Sequence, residues 1–209
     1  SMKNQVAAGL NMGIAGIPWW TTDIGGFFGA NINDPEFHEL LVRWFEYGCF
    51  CPVMRLHGYR WPLQPQYGTT GGATCVSGAP NEVWSYTDQV CEILSDYLRL
   101  RERMLPYITE LMEEAHEKGT PVMRPLFYDF PEDKESWNVE TEYMFGPKVL
   151  VKPITDADAR ETDVYLPGGA SWTNAWTGET FEGGQKVHVA APIEQIPLFT
   201  RDGYKLPMK

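Results

Sequence analysis

The sequence has little positive charge and no long apolar run. Its 209 residues hold 17 lysines and arginines against 28 aspartates and glutamates, which gives a formal net charge of −11. A chain this acidic is repelled by polyanions, so we expect no nucleic-acid partner. No apolar stretch is long enough to cross a bilayer and no signal peptide opens the sequence, so we expect no membrane partner.

Cysteine and histidine are also scarce, with four of each. Cys49 and Cys51 are too close in sequence for an ordinary bridge, and Cys75 and Cys91 complete the set. Neither a C-x-x-C pair nor a histidine-rich metal-ligand spacing occurs. We therefore expect reduced thiols, a cytoplasmic location, and neither a metal site nor a cofactor.

Hydrophobic residues, by contrast, make up 43% of the chain and aromatic residues 13%, which is enough for a sizeable core. The most informative stretch runs from Ile14 to Phe28. Its apolar beginning, Ile14 to Trp20, predicts a strand buried on both faces. Asp23 follows at the predicted strand end, and two glycines and two phenylalanines come next. A carboxylate, a tight turn and aromatic faces suit a sugar; the alternative is an acid that caps the next loop.

A helix and a second apolar run follow this stretch. Asp34 and Pro35 predict a helix start, apolar residues recur at helical spacing, and Gly48 predicts the end. The run from Phe50 to Leu56 then predicts a second strand, which would make a βαβ unit with two parallel neighbours. Asp23 and His57 would then lie at the carboxyl ends of adjacent strands, the edge that carries ligand sites in α/β folds.

The character of the sequence changes near Gly119. Before it, a long glycine-rich loop precedes a helical pattern that Pro106 should kink or split. Beyond it, short apolar runs alternate with glycine, proline and aspartate turns, which is typical of an antiparallel sandwich. We place a domain boundary there and predict two domains, 1–119 and 120–209.

Six motifs follow one another over nearly the whole chain: WWTTDIGGFFG at 19–29, PVMRLHG at 52–58, LRLRERMLPYI at 98–108, PVMRPLFYDFPED at 121–133, WTNAWTGETFEGG at 172–184 and IPLFTRDG at 196–203. In their sequence and their order they resemble glycoside hydrolase family 31, the retaining α-glucosidases and α-xylosidases.

The resemblance implies an α/β fold plus an all-β fold: the last βα units of a (β/α)8 barrel, then an antiparallel β-sandwich. It also implies an oligosaccharide substrate with α-linked sugars. Retaining glycosidases need two carboxyl groups, a nucleophile and a proton donor. The family carries both on earlier barrel strands, so we expect them upstream of residue 1 and assign no catalytic residue here. The isolated chain is therefore expected to be inactive.

Four residues are predicted to bind substrate. His57 resembles a family histidine that contacts sugar hydroxyls; the alternative is a core histidine bonded to backbone. Asp23 would lie at the floor of the same subsite, where it could bind a hydroxyl or orient Arg55, or form a purely structural pair with it. Phe27 resembles a family aromatic residue that flanks the leaving-group subsite; the alternative is that Phe27 only packs against its neighbours. We expect Trp20 in the core.

The sequence also suggests two functions other than a glycosidase. The chain could be a non-catalytic carbohydrate-binding module, with Trp172, Trp176 and Phe181 as its platform, or a scaffold fragment with no ligand. Tryptophan in a sandwich more often fills the space between the sheets. We interpret the acidic run from Glu110 to Glu117 as the solvent-exposed face of a helix. Because the two predicted strands would come from an unclosed barrel, we also expect self-association through their edges.

Overall fold

Helices dominate the first half of the chain in the computed structural model, which describes residues 2–208. They are α1 (Met2–Ile14), α2 (Pro35–Cys49), α3 (Asp88–Arg103), α4 (Leu105–Lys118) and the short α5 (Leu126–Asp129). Across residues 2–208, no helix combines the length and the apolar character that crossing a membrane requires.

Helix α2 begins and ends where its sequence predicts. The side chain of Asp34 accepts a hydrogen bond from the backbone N–H of Glu36 at 3.0 Å, and Pro35 occupies the first turn. The apolar residues at helical spacing are buried, apart from Leu40, which is 40% exposed.

The helical segment that follows is divided at Met104, as Pro106 predicts. Proline cannot donate the hydrogen bond of a helix interior, but it is tolerated in the first turn of α4. Helix α4 ends at Gly119, whose left-handed φ of 71° an L-residue adopts only with strain. The acidic residues of this helix lie largely on its solvent side.

The two strands predicted around the candidate site are wrong. Ile14 ends helix α1, and residues 15–23 and 50–58 are turns and irregular backbone. Ile14, Ile17 and Trp19 are 49%, 47% and 60% exposed, so this segment is not buried on both faces. A doubly buried strand needs a hydrogen-bonded neighbour on each side. Within residues 2–208, the two segments share a single backbone hydrogen bond, from Val53 N to Trp20 O at 3.1 Å.

The predicted βαβ unit nevertheless exists, displaced toward the C-terminus. Strands β1 (Phe28–Asn31) and β2 (Tyr59–Trp61) pair in parallel, and helix α2 connects them. Asp23 and His57 therefore precede these strands instead of following their carboxyl ends, which corrects the predicted location of both residues.

The second half contains two antiparallel sheets. Six strands form one sheet in the order β3-β4-β5-β10-β7-β8, and two strands, β6 and β9, form the other. Their bounds are β3 (Met123–Pro125), β4 (Tyr143–Phe145), β5 (Val149–Val151), β6 (Glu161–Leu166), β7 (Ser171–Asn174), β8 (Thr180–Glu182), β9 (Gln185–Ala190) and β10 (Leu198–Arg201).

Side chains from both sheets share one hydrophobic cluster. It joins Leu150 and Phe199 of the larger sheet to Val164 and Val187 of the smaller one. Trp172 is fully buried in this cluster, and its indole N–H donates to the carbonyl of Pro167 at 2.9 Å. Trp172 therefore fills the space between the sheets, as the sequence predicts.

A second, larger cluster crosses from one half of the chain to the other. It contains residues of α1 to α4 together with Tyr143 and Phe145 of β4 and Leu198 of β10. The phenol of Tyr143 donates to the carbonyl of Phe50 at 3.0 Å, directly behind the segment that leads to His57. The helices and the larger sheet are thus packed as one body.

Candidate functional site

The structure brings Asp23 and Arg55 together as an ion pair. Arg55 Nη2 lies 2.9 Å from Asp23 Oδ1, and their side chains are 51% and 28% exposed. An ion pair this open to water adds little stability, on the order of 0–1 kcal/mol. Its effect is geometric, because it ties the segment before β1 to the segment before β2.

Phe27 and His57 form the second pair. Their ring centroids are 5.4 Å apart with the planes inclined by 33°, and Phe27 is 58% exposed. Phe28 and Tyr59 stack beside them at 5.8 Å. Exposed aromatic faces next to an imidazole, which both donates and accepts hydrogen bonds, can pack against a sugar ring and bind its hydroxyls.

A glycine turn connects Asp23 to Phe27. Gly25 and Gly26 have left-handed φ angles of 82° and 84°, and the N–H of Gly26 donates to the carbonyl of Asp23 at 2.7 Å. A Cβ atom on Gly25 would lie 2.8 Å from Arg60 Nη2, closer than real contacts allow. The turn therefore requires glycine both for its backbone conformation and for space.

Sequence reasoning missed the residues that support this site from behind. Arg60 is fully buried beneath the glycine turn, and Trp44 donates its indole N–H to Thr22 Oγ1 at 3.1 Å. Arg101 donates to the carbonyls of the segment that leads to Arg55. Neither arginine stands out in the sequence, since their acceptors are main-chain atoms that any residue supplies.

The other aromatic residues singled out in the sequence lie in different surroundings. Trp20 is partly buried against the larger core, where its indole N–H lies 3.2 Å from the hydroxyl of Tyr47, as expected of a core residue. Phe181 packs against the cluster between the sheets. Trp176 is 36% exposed and lines a groove of about 660 Å³ beside α3, so it does not fill the inter-sheet core.

The carboxylates with strongly raised pKa values lie in the interior. Burial raises the pKa of Glu46 to about 8 and that of Glu142 to about 7, although each has a cationic neighbour that acts in the opposite direction. A general acid needs such a pKa, but it must also reach the substrate. Glu46 is fully buried and Glu142 is 4% exposed, so neither meets a ligand at the Asp23–His57 surface.

The arrangement is chemically suited to binding. It offers one carboxylate, already engaged by a guanidinium, together with an imidazole and aromatic faces. Retaining glycoside hydrolysis needs two carboxyl groups about 5–5.5 Å apart. The four clustered residues supply only one carboxyl group, so they can hold a sugar but do not by themselves supply that chemistry.

Comparison with protein families identifies the class of protein. Residues 1–111 match the TIM-barrel domain of glycosyl hydrolases family 31, and residues 119–206 match the family's C-terminal domain. The chain belongs to glycosyl hydrolase family 31, which confirms the resemblance carried by the six motifs.

Several relatives are α-xylosidases or α-glucosidases. An alpha-xylosidase from Saccharolobus solfataricus is 38% identical over 208 residues, covering 100% of this chain and 26% of the relative. Alpha-glucosidase 2 from Bacillus thermoamyloliquefaciens is 35% identical, covering 93% of this chain and 22% of the relative.

One solved structure has a higher sequence identity to this chain than these two relatives. The crystal structure of a family 31 α-xylosidase from a soil metagenome, complexed with xylose, is 52% identical with a TM-score of 0.93. The match covers 97% of this chain and 30% of that one. The chain thus spans about a quarter of the length of the curated relatives it matches.

Proposed function

We propose that this chain is part of a retaining α-glycosidase that hydrolyses O-glycosidic bonds of α-linked xylosides or glucosides. In this proposal residues 1–119 contribute the last βα units of a (β/α)8 barrel and residues 120–209 a β-sandwich domain. Family membership and the names of the relatives support it. The observation that carries it is that the same two segments meet twice, in the Asp23–Arg55 ion pair and in the Phe27–His57 ring pair.

Each of the four residues has a distinct role in this proposal. His57 exchanges hydrogen bonds with sugar hydroxyls, and Asp23 accepts a hydroxyl hydrogen bond while Arg55 holds its carboxylate. Phe27 packs against the sugar or aglycone face. The nucleophile and the acid/base residue come from parts of the parent protein outside these 209 residues.

Activity measurements test whether this chain only binds substrate while the rest of the parent protein supplies the catalytic carboxyl groups. The intact parent enzyme is expected to release nitrophenol from a nitrophenyl α-xyloside or α-glucoside, whereas the 209-residue chain alone is expected to release none above the buffer rate. Turnover by the isolated chain that is unchanged in Asp23→Asn would contradict the proposal, because other acids of the chain would then perform the chemistry.

Three further properties belong to the proposal. The chain works in the cytoplasm, consistent with four free thiols, of which Cys49 and Cys51 are buried; cell fractionation with an antibody to the chain tests this. In isolation it self-associates through the exposed apolar residues before β1, whose exposure supports the proposal. Its substrate is an oligosaccharide, and titration with oligosaccharides of different linkage tests that.

A further inference from the structure

The backbone that carries the candidate site has almost no regular hydrogen bonding of its own. Residues 15–23 and 50–58 form no strand, and the strands begin only at Phe28 and Tyr59. Substrate-binding side chains nevertheless need fixed positions, and misplacement by about 1 Å can reduce a rate by about 100-fold. Among residues 2–208, side chains and not strand partners hold the backbone near these two segments.

Arg60 holds the glycine turn that follows the first segment. Its side chain is fully buried, and its two terminal nitrogens donate to the carbonyls of Gly26 at 2.8 Å and Ile24 at 2.9 Å. Its guanidinium also lies over the Phe37 ring, 5.0 Å from the centroid. These two carbonyls belong to the glycine turn between Asp23 and Phe27.

Arg101 holds the second segment. One terminal nitrogen donates to the carbonyls of Cys49 at 2.7 Å and Cys51 at 2.6 Å, and the other donates to that of Pro52 at 2.8 Å. Burial lowers the pKa of Arg101 from its ordinary value. The segment held in this way leads directly to Arg55 and His57.

Neither arginine forms an ion pair with an acid of the described residues. Within residues 2–208, the ion pairs formed by arginines do not include Arg60 or Arg101. Arg60 is fully buried and Arg101 is partly buried. A cation withdrawn from water without a counter-ion is costly, so a purely stabilising residue would be better replaced by an apolar one. What a guanidinium alone supplies is a rigid fork of donors that can hold two or three carbonyls at fixed angles.

We propose that Arg60 and Arg101 are positioning residues that set the geometry of the Asp23, Phe27, Arg55 and His57 site. Arg60 fixes the segment that bears Asp23 and Phe27, and Arg101 fixes the segment that bears Arg55 and His57. The inference deepens the proposed function and rests on it for the identity of the ligand, but the positioning itself can be measured without any ligand.

Gly58 offers a second way to disturb the same contact. Its φ is 152°, and a Cβ atom there would lie 2.6 Å from Arg60 Nη1 and 2.7 Å from the carbonyl oxygen of Gly26. Gly58→Ala therefore keeps the guanidinium but pushes it and the glycine turn apart. It complements Arg60→Lys, which keeps the charge but replaces the fork by a single ammonium group.

The test uses the 209-residue chain and combines NMR of the His57 ring and the Gly25–Phe27 amides with titration by D-xylose. We expect Arg60→Lys, Arg101→Lys and Gly58→Ala to shift the His57 ring signals, because the position of this ring relative to Phe27 changes. We also expect them to weaken xylose binding by about tenfold or more. The matched control is Arg99→Lys, an exposed arginine of α3 paired with Asp96 at 2.7 Å, which should change neither.

The outcomes separate the two proposals. If the wild-type chain does not bind xylose but the variants still shift the His57 signals, the ligand assignment fails and the positioning role stands. If the variants melt at a lower temperature while the His57 signals remain those of the wild type, the arginines only stabilise the fold and the inference is overturned. Loss of helical circular dichroism in all three variants would overturn it as well.

Discussion

At the scale of single residues, His57 is exposed to solvent and has Phe27 as its aromatic neighbour. Its ring lies beside that of Phe27, tilted by 33°, and within residues 2–208 its side chain forms no hydrogen bond with the protein. A core histidine satisfied by backbone would be buried, so that alternative does not describe His57. Its two ring nitrogens remain available to a ligand.

We expect His57→Ala in the intact parent enzyme to reduce kcat/KM by about 10- to 100-fold, because a lost hydrogen bond to a sugar hydroxyl costs about 1–3 kcal/mol. The melting temperature should stay close to that of the wild type, since an exposed side chain is removed. His116→Ala, on the exposed side of α4, is the matched control. A much lower melting temperature with normal kinetics would make His57 a structural residue.

At the scale of elements, the sequence predicts helices better than the strands around the site. The cap at Asp34, the division near Pro106 and the end at Gly119 are local signals, and all three are found. Beyond Gly119, strands β5 and β9 contain the short apolar runs Val149–Val151 and Val187–Val189, which turn residues bound in the sequence.

The runs Ile14–Trp20 and Phe50–Leu56 show why the remaining prediction failed. An apolar run indicates burial, but a strand also requires partners that are distant in sequence. The described residues supply one backbone hydrogen bond between these segments. Arginines hold nearby carbonyls instead, Arg60 those at residues 24 and 26 and Arg101 those at residues 51 and 52. The proximity of Asp23 to Arg55 could be predicted from the sequence, whereas the supporting arginines could not.

The end of α4 allows a prediction about the junction between the two halves. Gly119→Ala should lower the free energy of unfolding by about 1 kcal/mol, because alanine adopts a left-handed backbone only with strain. Added atoms would meet nothing within 4 Å, so no clash contributes. Gly72→Ala, also in open space but without a left-handed φ, is the control and should be nearly neutral in chemical denaturation. Equal effects at the two positions would contradict this account.

At the scale of the whole molecule, one buried network joins the helices to the β-rich half. Arg43 of α2 donates to Glu46 at 3.1 Å and to the carbonyl of Ala191 at 2.7 Å. Tyr97 of α3 donates to Glu46 at 3.1 Å and accepts from the N–H of Ile196 at 3.0 Å. The two helices and residues 191–196 therefore share one set of hydrogen bonds.

This network should make stability depend on pH. Burial raises the pKa of Glu46 from 4.5 to about 8, so the folded chain binds a proton that the unfolded chain releases above pH 4.5. The contribution of Glu46 to the free energy of unfolding is therefore largest below about pH 4.5 and falls as the pH rises toward 8. We expect thermal melting of Glu46→Gln to show a flatter decline over this range than the wild type.

Glu39 provides a control, because its pKa is shifted in the opposite direction to that of Glu46. Its pKa is lowered, chiefly by a hydrogen bond from Arg160 at 2.6 Å, so its contribution is present above its unfolded pKa and is lost at lower pH. Glu39→Gln should leave the decline toward pH 8 unchanged. The same slope in wild type and Glu46→Gln would mean that the buried carboxyl does not take up this proton.

The segment before β1 leads to the last prediction, self-association of the isolated chain. Ile17 and Trp19 are 47% and 60% exposed, and Ile14 beside them is 49% exposed. Neighbouring exposed apolar side chains favour association, whereas the two sheets of the second half bury each other's faces. Light scattering should therefore show dimers or larger species whose abundance rises with concentration. Trp19→Lys combined with Ile17→Glu should shift the chain toward monomer, while Trp84→Lys, at a residue 75% exposed elsewhere, should not. A wild-type chain that stays monomeric at high concentration, with residues 1–58 well ordered, would show that water alone covers this surface.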